Sequence, residues 1–291
     1  MLDVQRATTG ALGIAAVLFS LAALAEPWSF GGTVGLGYDS NPGNAGSVDD
    51  RRDTSEISGG LSADYGHSFG LYTALQLRGS LQGDAYARNT KLSEGAATAR
   101  LRLLHRPGSG FFVPVVALWG SVGARDSGSD LRDSTDYRGG AFLMEQLTTK
   151  VRSRLGYTYS RRDSKSRVFD LKGNSFNLSL DWDALPALTV YGDYQRYRGP
   201  IVVSAQGPVT PKSERLYLEP AAEAIEPDDA YGDDWFAFRL RAQTGVSTLG
   251  FNISLSGDVA LDAQVQYAQS QIAGTAHYER WLGGVTLLRR F

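Results

Sequence analysis

The chain has 291 residues, a formal net charge of -2 and a mean hydropathy of -0.22, with 42% hydrophobic residues. A helical membrane protein would be far more apolar, and a nucleic-acid-binding protein would carry a basic surplus to neutralise phosphates. There is no cysteine, which excludes disulfides, thiolate metal sites and cysteine nucleophiles. The lack of cysteine also suits a chain that crosses an oxidising compartment without forming stray disulfides.

The N-terminal residues have the features of a cleaved secretory signal peptide. Arg6 lies in a short polar region, an apolar run spans Ala11–Leu24, and Ala23-Leu24-Ala25 has the A-x-A form of a cleavage site. The apolar run is short for a membrane span. We therefore expect residues 1–25 to be removed and residues 26–291 to form one mature domain.

From Trp28 onward the sequence alternates with a period of two, which indicates β-strands. In the first segment, WSFGGTVGLGYD, large apolar side chains alternate with Ser, Gly and Thr. The fifth and sixth predicted strands are apolar on both sets of positions, so their faces stay unassigned. The tenth changes phase near Gly245, which predicts a β-bulge. After the first strand, the predicted strands lie near residues 56–65, 71–78, 97–103, 111–122, 137–147, 151–160, 175–182, 188–195, 236–255, 258–267 and 278–291.

Short turns and long polar connections alternate along this series. Bacterial outer-membrane barrels have short periplasmic turns, longer outer loops and an even number of strands, whereas a soluble sandwich has no reason to sort its loops. In hydrocarbon every backbone N–H and C=O must be paired, so strands without helices must close on themselves. The sequence therefore predicts an all-β fold, a transmembrane antiparallel up-and-down β-barrel of about 12 strands, with 14 as the alternative. Its apolar positions are expected to face lipid.

The last segment, WLGGVTLLRRF, ends on Phe291, which shares a face with Trp281 and Leu287. This segment resembles the terminal strand of Gram-negative outer-membrane β-barrel proteins, a porin-like class. The resemblance implies that Phe291 is the signal read by the barrel assembly machinery. The segment departs from the pattern of that class at Arg289, where an aromatic or apolar residue is more usual, and at Gly283.

The stretch GYDSNP at Gly37–Pro42 resembles the rim of the first strand in barrels of the surface-lipoprotein-assembly-modifier type. In those proteins a helical-repeat domain precedes the barrel. No segment between Ala25 and the first strand fits such a domain, so their function is not carried over. The wider resemblance covers the mature chain, and it implies a fold and a location in the bacterial cell outer membrane.

Charged residues recur on the positions that the pattern turns inward. As a channel lining they form an electrostatic track for anionic or sugar-like solutes, and twelve-stranded channels for acidic oligosaccharides resemble this arrangement. The alternative is that inward arginines and aspartates pair and fill a narrow lumen as a structural plug. The candidate pore-lining residues are Arg78, Arg100, Arg102, Arg152, Arg154, Asp181, Asp193, Arg239 and Arg241.

The longest predicted loop, residues 198–234, is rich in proline and carries the acidic cluster Asp228, Asp229, Asp233 and Asp234. Such a loop folds into the mouth as a constriction, binds a divalent cation, or stays solvated outside the barrel. The cluster lacks the spacing of an EF-hand, and a solvated outer loop is the simpler interpretation. We expect no metal site and no cofactor.

The histidines do not favour an enzyme. His67 and His105 fall at the periplasmic end of the predicted barrel, and His277 at the outer end near Ser270. A lipid-modifying enzyme of the outer membrane would need a serine beside such a histidine. A single histidine at the rim is more often an ordinary polar residue, so we expect no catalysis.

The sequence predicts a porin-like channel for the passive passage of small hydrophilic or anionic solutes, or a passive part of an export system. The alternative is a closed barrel that serves as a structural or adhesion platform through its outer loops. Expected partners are membrane lipid and lipopolysaccharide, the barrel assembly machinery and a small hydrophilic solute. Nucleic acid is not an expected partner.

Overall fold

The computed structural model describes residues 28–47, 49–207, 218–272 and 277–291, so the predicted signal peptide lies outside the described residues. Short 3-10 turns lie in several connections. No helix in the described ranges is long and apolar enough to cross a membrane. The strands are β1 (Trp28–Asp39), β2 (Thr54–Phe69), β3 (Thr73–Tyr86), β4 (Glu94–His105), β5 (Val115–Ser127), β6 (Ser134–Gln146), β7 (Val151–Ser164), β8 (Leu171–Leu185), β9 (Leu188–Gln206), β10 (Ala224–Pro227), β11 (Trp235–Ser254), β12 (Val259–Ile272) and β13 (His277–Arg290).

All strands except β10 form a closed antiparallel barrel of 12 strands. Each strand from β1 to β8 pairs with the one that follows it, and β9 pairs with β11. Strand β12 pairs with β11 and β13, and β13 returns to β1 with Gly35 opposite Thr286. The short β10 pairs with β11 at Ala224–Arg239, beyond the point where β12 ends. The predicted up-and-down β-barrel of 12 strands is confirmed.

The two faces of the wall differ as the alternation predicts. Outward side chains at the middle of the strands are exposed, as Val34 and Leu61 are, each at 63%. A soluble sheet would bury such a row against protein, whereas a transmembrane barrel presents it to lipid. Aromatic pairs such as Trp28–Tyr65, with ring centroids 5.0 Å apart, lie near strand ends. Interfacial aromatic girdles of membrane barrels occupy such positions.

The connections differ from the predicted strict alternation of short and long. Residues 106–114, on the side that holds both ends of the barrel sheet, form a longer connection than residues 128–133 or 165–170 on the opposite side. The predicted loops are shorter in the structure because the strands extend further, as β9 and β11 do. We name the end with connections 40–53 and 207–234 the outer end, and the other the periplasmic end, following the usual loop asymmetry of such barrels.

Strand β11 runs through Gly245 without a bulge, because its pairing with β9 is continuous from residue 235 to residue 253. The predicted bulge is therefore wrong. The change of phase arises from Phe238 and Leu240, which point inward and are 0% exposed. They pack against Ile201 and Tyr278 near the outer end. Near the outer end, the apolar residues of β11 thus face protein inside the mouth. Nearer the periplasmic end, its apolar residues Leu249 and Phe251 face lipid.

Candidate functional site

The outer mouth of the barrel is closed by its own connections. In the ring of strands, the β3–β4 connection lies opposite the β9–β11 pair. Even so, Lys91 Nζ of the first connection lies 3.0 Å from Asp229 Oδ2 of the second. Leu92 packs in one cluster with Ala230 and Tyr231. Residues 228–234, here called the crossing segment, therefore reach across the mouth from one wall to the other.

A buried ion pair fastens the crossing segment to the β5–β6 connection. Arg132 Nη2 donates to both carboxylate oxygens of Asp228 at 2.8 Å, and the two side chains are 7% and 0% exposed. Asp228 also accepts a hydrogen bond from Ser204 Oγ at 2.5 Å. The Arg132 guanidinium stacks 4.3 Å from the ring centroid of Phe169, in the β7–β8 connection. Loss of either partner would leave an unpaired buried charge, so closure depends strongly on this pair.

The β1–β2 connection contributes to the closure from another side. The backbone N–H of Ser204 on β9 donates to the carbonyl oxygen of Gly43 at 2.8 Å. Asn44 Nδ2 donates to the carbonyl oxygen of Val202 at 3.0 Å. Strands β1 and β9 are not neighbours in the ring, so these bonds also cross the mouth instead of running along the wall.

Two carboxylates in these connections have a pKa below the ordinary value. Burial raises the pKa of Asp229, but the hydrogen bond from Ser129 and the ammonium of Lys91 outweigh it and lower the pKa. The hydrogen bond from Lys165 lowers the pKa of Asp133 at the rim. Both groups are therefore ionised at neutral pH, and the contacts that need their charge are intact.

The predicted acidic cluster is not one group. Asp228 and Asp229 are held within the closure, whereas Asp233 and Asp234 are exposed. In the described part of the chain, no group of three or more His, Cys, Asp or Glu side chains is placed to hold a metal ion. The simpler interpretation, a solvated outer loop, is wrong for residues 228–231, because they lie in the mouth. The predicted constriction describes this segment better.

Inside the barrel, three of the predicted arginines lie near carboxylates of neighbouring strands. For Arg78 and Arg154 the closest N–O distances exceed normal hydrogen-bond length, so these two charges are neutralised only loosely. Arg154 Nη2 instead donates to Ser179 Oγ at 2.9 Å. Arg78 lies 3.7 Å from Asp64 and Arg154 lies 3.9 Å from Asp193. Arg152 lies 3.9 Å from Asp181, and its Nη2 donates to Asp183 Oδ1 at 3.4 Å.

Arg100 and Arg102 on β4 differ from these, because neither has a carboxylate within ion-pair distance in the described chain. Each stacks on an aromatic ring, Arg100 over Trp119 at 5.3 Å and Arg102 over Phe142 at 5.5 Å from the centroids. Arg102 Nη1 also donates to the amide oxygen of Gln76 at 3.4 Å. A cation–π contact orients a guanidinium without cancelling its charge. This wall of the lumen therefore keeps a positive charge.

A cavity of about 100 Å³ lies in the lumen beside Arg78 and Arg100. The rest of its lining is rich in hydroxyl groups. Guanidinium and hydroxyl donors around one space are suited to an oxyanion or a polyhydroxylated solute. The hydroxyl-bearing lining residues are Thr33, Ser58, Ser62, Ser80, Thr98 and Thr286.

The sequence reasoning missed a second inward cluster on β4 to β7. Asp136 Oδ1 accepts from Arg162 Nε at 2.8 Å, and Asp136 Oδ2 lies 3.4 Å from Arg125 and 3.8 Å from Arg138. Arg125 also pairs with Glu94. The fifth and sixth predicted strands are apolar on both faces, so the alternation does not show whether these charged side chains face the lumen or lipid. The spacing of two between Asp136 and Arg138 is the available signal.

Arg239 and Arg241 do not line the lumen, so that prediction is wrong. They share the face of β11 that carries Leu249 and Phe251, which are exposed on the outer surface. The side chain of Arg241 is 83% exposed and pairs with Glu223. The prediction assigns the apolar residues Phe238 and Leu240 to lipid, which would turn the arginines inward. In the structure Phe238 and Leu240 face the closed mouth, so the arginines between and beside them face outward.

The structure describes only some of the residues of the enzyme alternative. Ser270 is 0% exposed, and its hydroxyl is hydrogen-bonded to Thr244. The side chain of His277 lies outside the described residues. His105 Nδ1 lies 2.9 Å from the hydroxyl of Thr73 at the periplasmic end.

Phe291 follows β13 on the outer surface, where its backbone N–H donates to the carbonyl oxygen of Phe30 at 2.9 Å. The guanidinium of Arg289 lies 5.0 Å from the centroid of the Phe291 ring. The terminal arginine that departs from the class pattern therefore packs on the terminal aromatic. The role of Phe291 as an assembly signal stays a prediction.

No family model and no curated protein matches the chain. Among solved structures, the COG4313 outer membrane channel from Pseudomonas putida F1 is similar, with a TM-score of 0.59 and 12% identity over 91% of this chain and 96% of that one. The transport unit of the autotransporter AIDA-I from Escherichia coli has a TM-score of 0.46 and 10% identity over 98% of both chains. The KdgM porin in complex with disordered oligogalacturonate has a TM-score of 0.41 and 10% identity over 88% and 99%. The likeness concerns the fold, which is that of outer-membrane β-barrels.

Proposed function

We propose that this barrel is an outer-membrane channel for small anionic solutes, with a basic lumen behind an outer mouth closed by its own connections. The observation that carries the proposal is the pair Arg100 and Arg102, whose charges have no carboxylate partner in the described chain. Basic side chains that line a pore raise the local concentration of anions and select for them. The fold shared with an outer membrane channel supports the proposal.

Solutes that carry a carboxylate, phosphate or sulfate group suit this lining. The planar guanidinium fork binds such oxyanions through two parallel N–H donors. The loosely paired Arg78 and Arg154 add sites of weaker attraction along the wall. Several weak sites favour conduction, because an ion must be able to leave each one.

Passage through the outer mouth requires the crossing segment to move. In the closed state Asp228 and Asp229 of this segment pair with Arg132 and Lys91, which belong to other connections. Outward movement of the segment breaks both ion pairs and exposes the inward wall to the outside. We infer that this segment is the gate of the channel.

The test is the reversal potential of the refolded chain in a planar bilayer under a KCl gradient. Wild type is expected to be anion-selective, and Arg100→Gln/Arg102→Gln is expected to lose most of that preference. Arg196→Gln is the matched control, because Arg196 is exposed on the outer surface and bonds to Gln243. Cation selectivity in wild type, or a double variant with unchanged selectivity, would contradict the proposal.

The closed mouth also favours a second candidate, a sealed barrel that presents its outer connections as a platform. The two candidates differ in what happens when the gate is weakened. A channel then conducts more, whereas a sealed barrel stays silent because its lumen is blocked elsewhere. A folded variant with a weakened gate and no conductance would therefore support the platform.

A further inference from the structure

The outer surface of the barrel has a depression near the outer rim, where two neighbouring strands part. The β8–β9 ladder ends at Asn174–Arg198. The β7–β8 ladder continues to residue 171 of β8, and the β9–β11 ladder continues to residue 206 of β9. Above Arg198, strand β9 therefore leaves β8 and follows β11 toward the mouth. The resulting depression has a volume of about 890 Å³.

The lining of this depression is predominantly basic. Three carboxylates, Asp163, Asp170 and Glu223, face six cations in it. Glu223 pairs with two of these cations and Asp163 with one, while Arg162 pairs with Asp136 on the inner side of the wall. The lining cations are Arg161, Arg162, Lys172, Arg198, Arg239 and Arg241.

Lys172 and Arg198 are the most available of these cations. Both are exposed, and neither has a carboxylate within ion-pair distance in the described part of the chain. Their positions are adjacent on the wall, because Asn174, two residues after Lys172, lies opposite Arg198. Arg161 lies directly opposite Lys172 on β7. Three cations thus form one row on the outward face.

Aromatic side chains lie directly below this row, on the side toward the membrane. Tyr159, two residues before Arg161, lines the depression. Tyr157 and Phe176 meet edge to face on the same outward face, with ring centroids 5.3 Å apart. Aromatic residues of barrels mark the level where hydrocarbon meets headgroups. The cations therefore lie at the height of the outer headgroups, on a surface that faces lipid and not the lumen.

We propose that this depression binds the phosphorylated sugar headgroup of a glycolipid in the outer leaflet. Lys172, Arg198 and Arg161 contact the phosphates, while the acyl chains lie along the aromatic and aliphatic wall below. Charge complementarity favours this occupant, because Lys172 and Arg198 have no carboxylate partner in the described chain and lie at the height of the lipid phosphates. The inference depends on an outer-membrane location and is independent of whether the lumen conducts.

The experiment measures the binding of bisphosphorylated lipid A to the full chain in detergent micelles by native mass spectrometry. Lys172→Gln/Arg198→Gln is compared with Arg88→Gln/Lys165→Gln, which removes the same charge from exposed rim positions outside the depression. Removal of one charge-assisted hydrogen bond to a phosphate is expected to weaken binding about tenfold. The first double variant should therefore bind about 100-fold more weakly than wild type, and the affinity of the control should change less than about threefold.

Two further probes separate a lipid site from a site for soluble anions. Lipid A stripped of its phosphates should bind wild type as weakly as lipid A binds the Lys172→Gln/Arg198→Gln variant. Inorganic phosphate should compete only weakly, because it lacks the acyl chains. Equal binding of lipid A by both double variants would overturn the proposal. Inorganic phosphate that binds as tightly as lipid A would also overturn it, since the site would then serve a soluble anion.

Discussion

Weakening the gate at Arg132 is the sharpest test of the closed mouth. Arg132→Met keeps a flexible apolar stem against Phe169 but removes the charge that pairs with Asp228. Breaking a buried pair by removing one partner costs about 3–5 kcal/mol. We take the lower limit, about 3 kcal/mol, because Asp228 keeps the hydroxyl of Ser204 and the N–H of Ala230 as donors. At about 1.4 kcal/mol per factor of ten, the ratio of open to closed channels should rise about 100-fold.

Single-channel recording in a planar bilayer measures that ratio as the open probability. The matched control is Lys165→Met, which breaks an exposed ion pair with Asp133 at the same rim and should leave the open probability unchanged, because exposed pairs contribute little. The double variant Arg132→Met/Asp228→Asn should open less often than Arg132→Met alone, since no unpaired charge remains buried. A folded Arg132→Met variant with the open probability of wild type would refute the reasoning.

Three further predictions concern the closure and the wall. A Cβ at Gly43 would lie 3.4 Å from Ser204 Cβ, which is close enough for a disulfide. The oxidised Gly43→Cys/Ser204→Cys variant should therefore show fewer channel openings, and a reductant should restore them. Openings that persist with the disulfide formed would contradict this prediction. The pKa of Asp229 is lowered in the closed mouth, so its stabilisation of the closed state is present above its unfolded pKa and is lost as pH falls through the folded value. Conductance should therefore stay low from neutral pH down to about pH 4 and rise below it. Channel opening between about pH 7 and pH 5 would contradict this prediction. Leu61→Arg, at the middle of an outward face, should lower the free energy of unfolding in lipid by about 2–4 kcal/mol. Gln82→Arg, on the inward face, should lower it by much less. Urea unfolding measures both, and equal urea midpoints for the two variants would argue against a lipid-facing Leu61.

The barrel is predictable from sequence because its determinants are local. Each wall strand alternates between large apolar and small or polar side chains, as Val34 and its neighbours do, and this period needs no knowledge of distant residues. The inward position of Arg100, Arg102 and Arg154 follows from the same period. The strand count follows as well, since each wall strand carries its own pattern.

The closure of the mouth is not predictable in this way. Alternation separates two faces of a strand but does not say which medium each face meets, so it assigns Phe238 and Leu240 to lipid and Arg239 to the lumen, the reverse of what the structure has. The partners of Asp228 are distant in sequence, as Arg132 is, and no local pattern connects them. Contacts between loops depend on how far strands extend and where they bend, which the two-residue period does not encode.

The most direct test of a basic lumen behind a closed outer mouth is the labelling rate of one inward cysteine. Ser121 lies opposite both Arg100 and Arg138 on the inner wall, and the chain has no other cysteine to react. Ser121→Cys, in otherwise wild-type and in Arg132→Met chains, is treated from the outer side with a negatively or a positively charged thiol reagent, each rate being normalised to a free thiol. We expect both reagents to label Ser121→Cys slowly behind the wild-type mouth. In the Arg132→Met chain we expect fast labelling, with a higher rate for the anionic reagent than for the cationic one. Equal rates in the two chains, or a faster cationic reagent, would contradict the gated basic lumen.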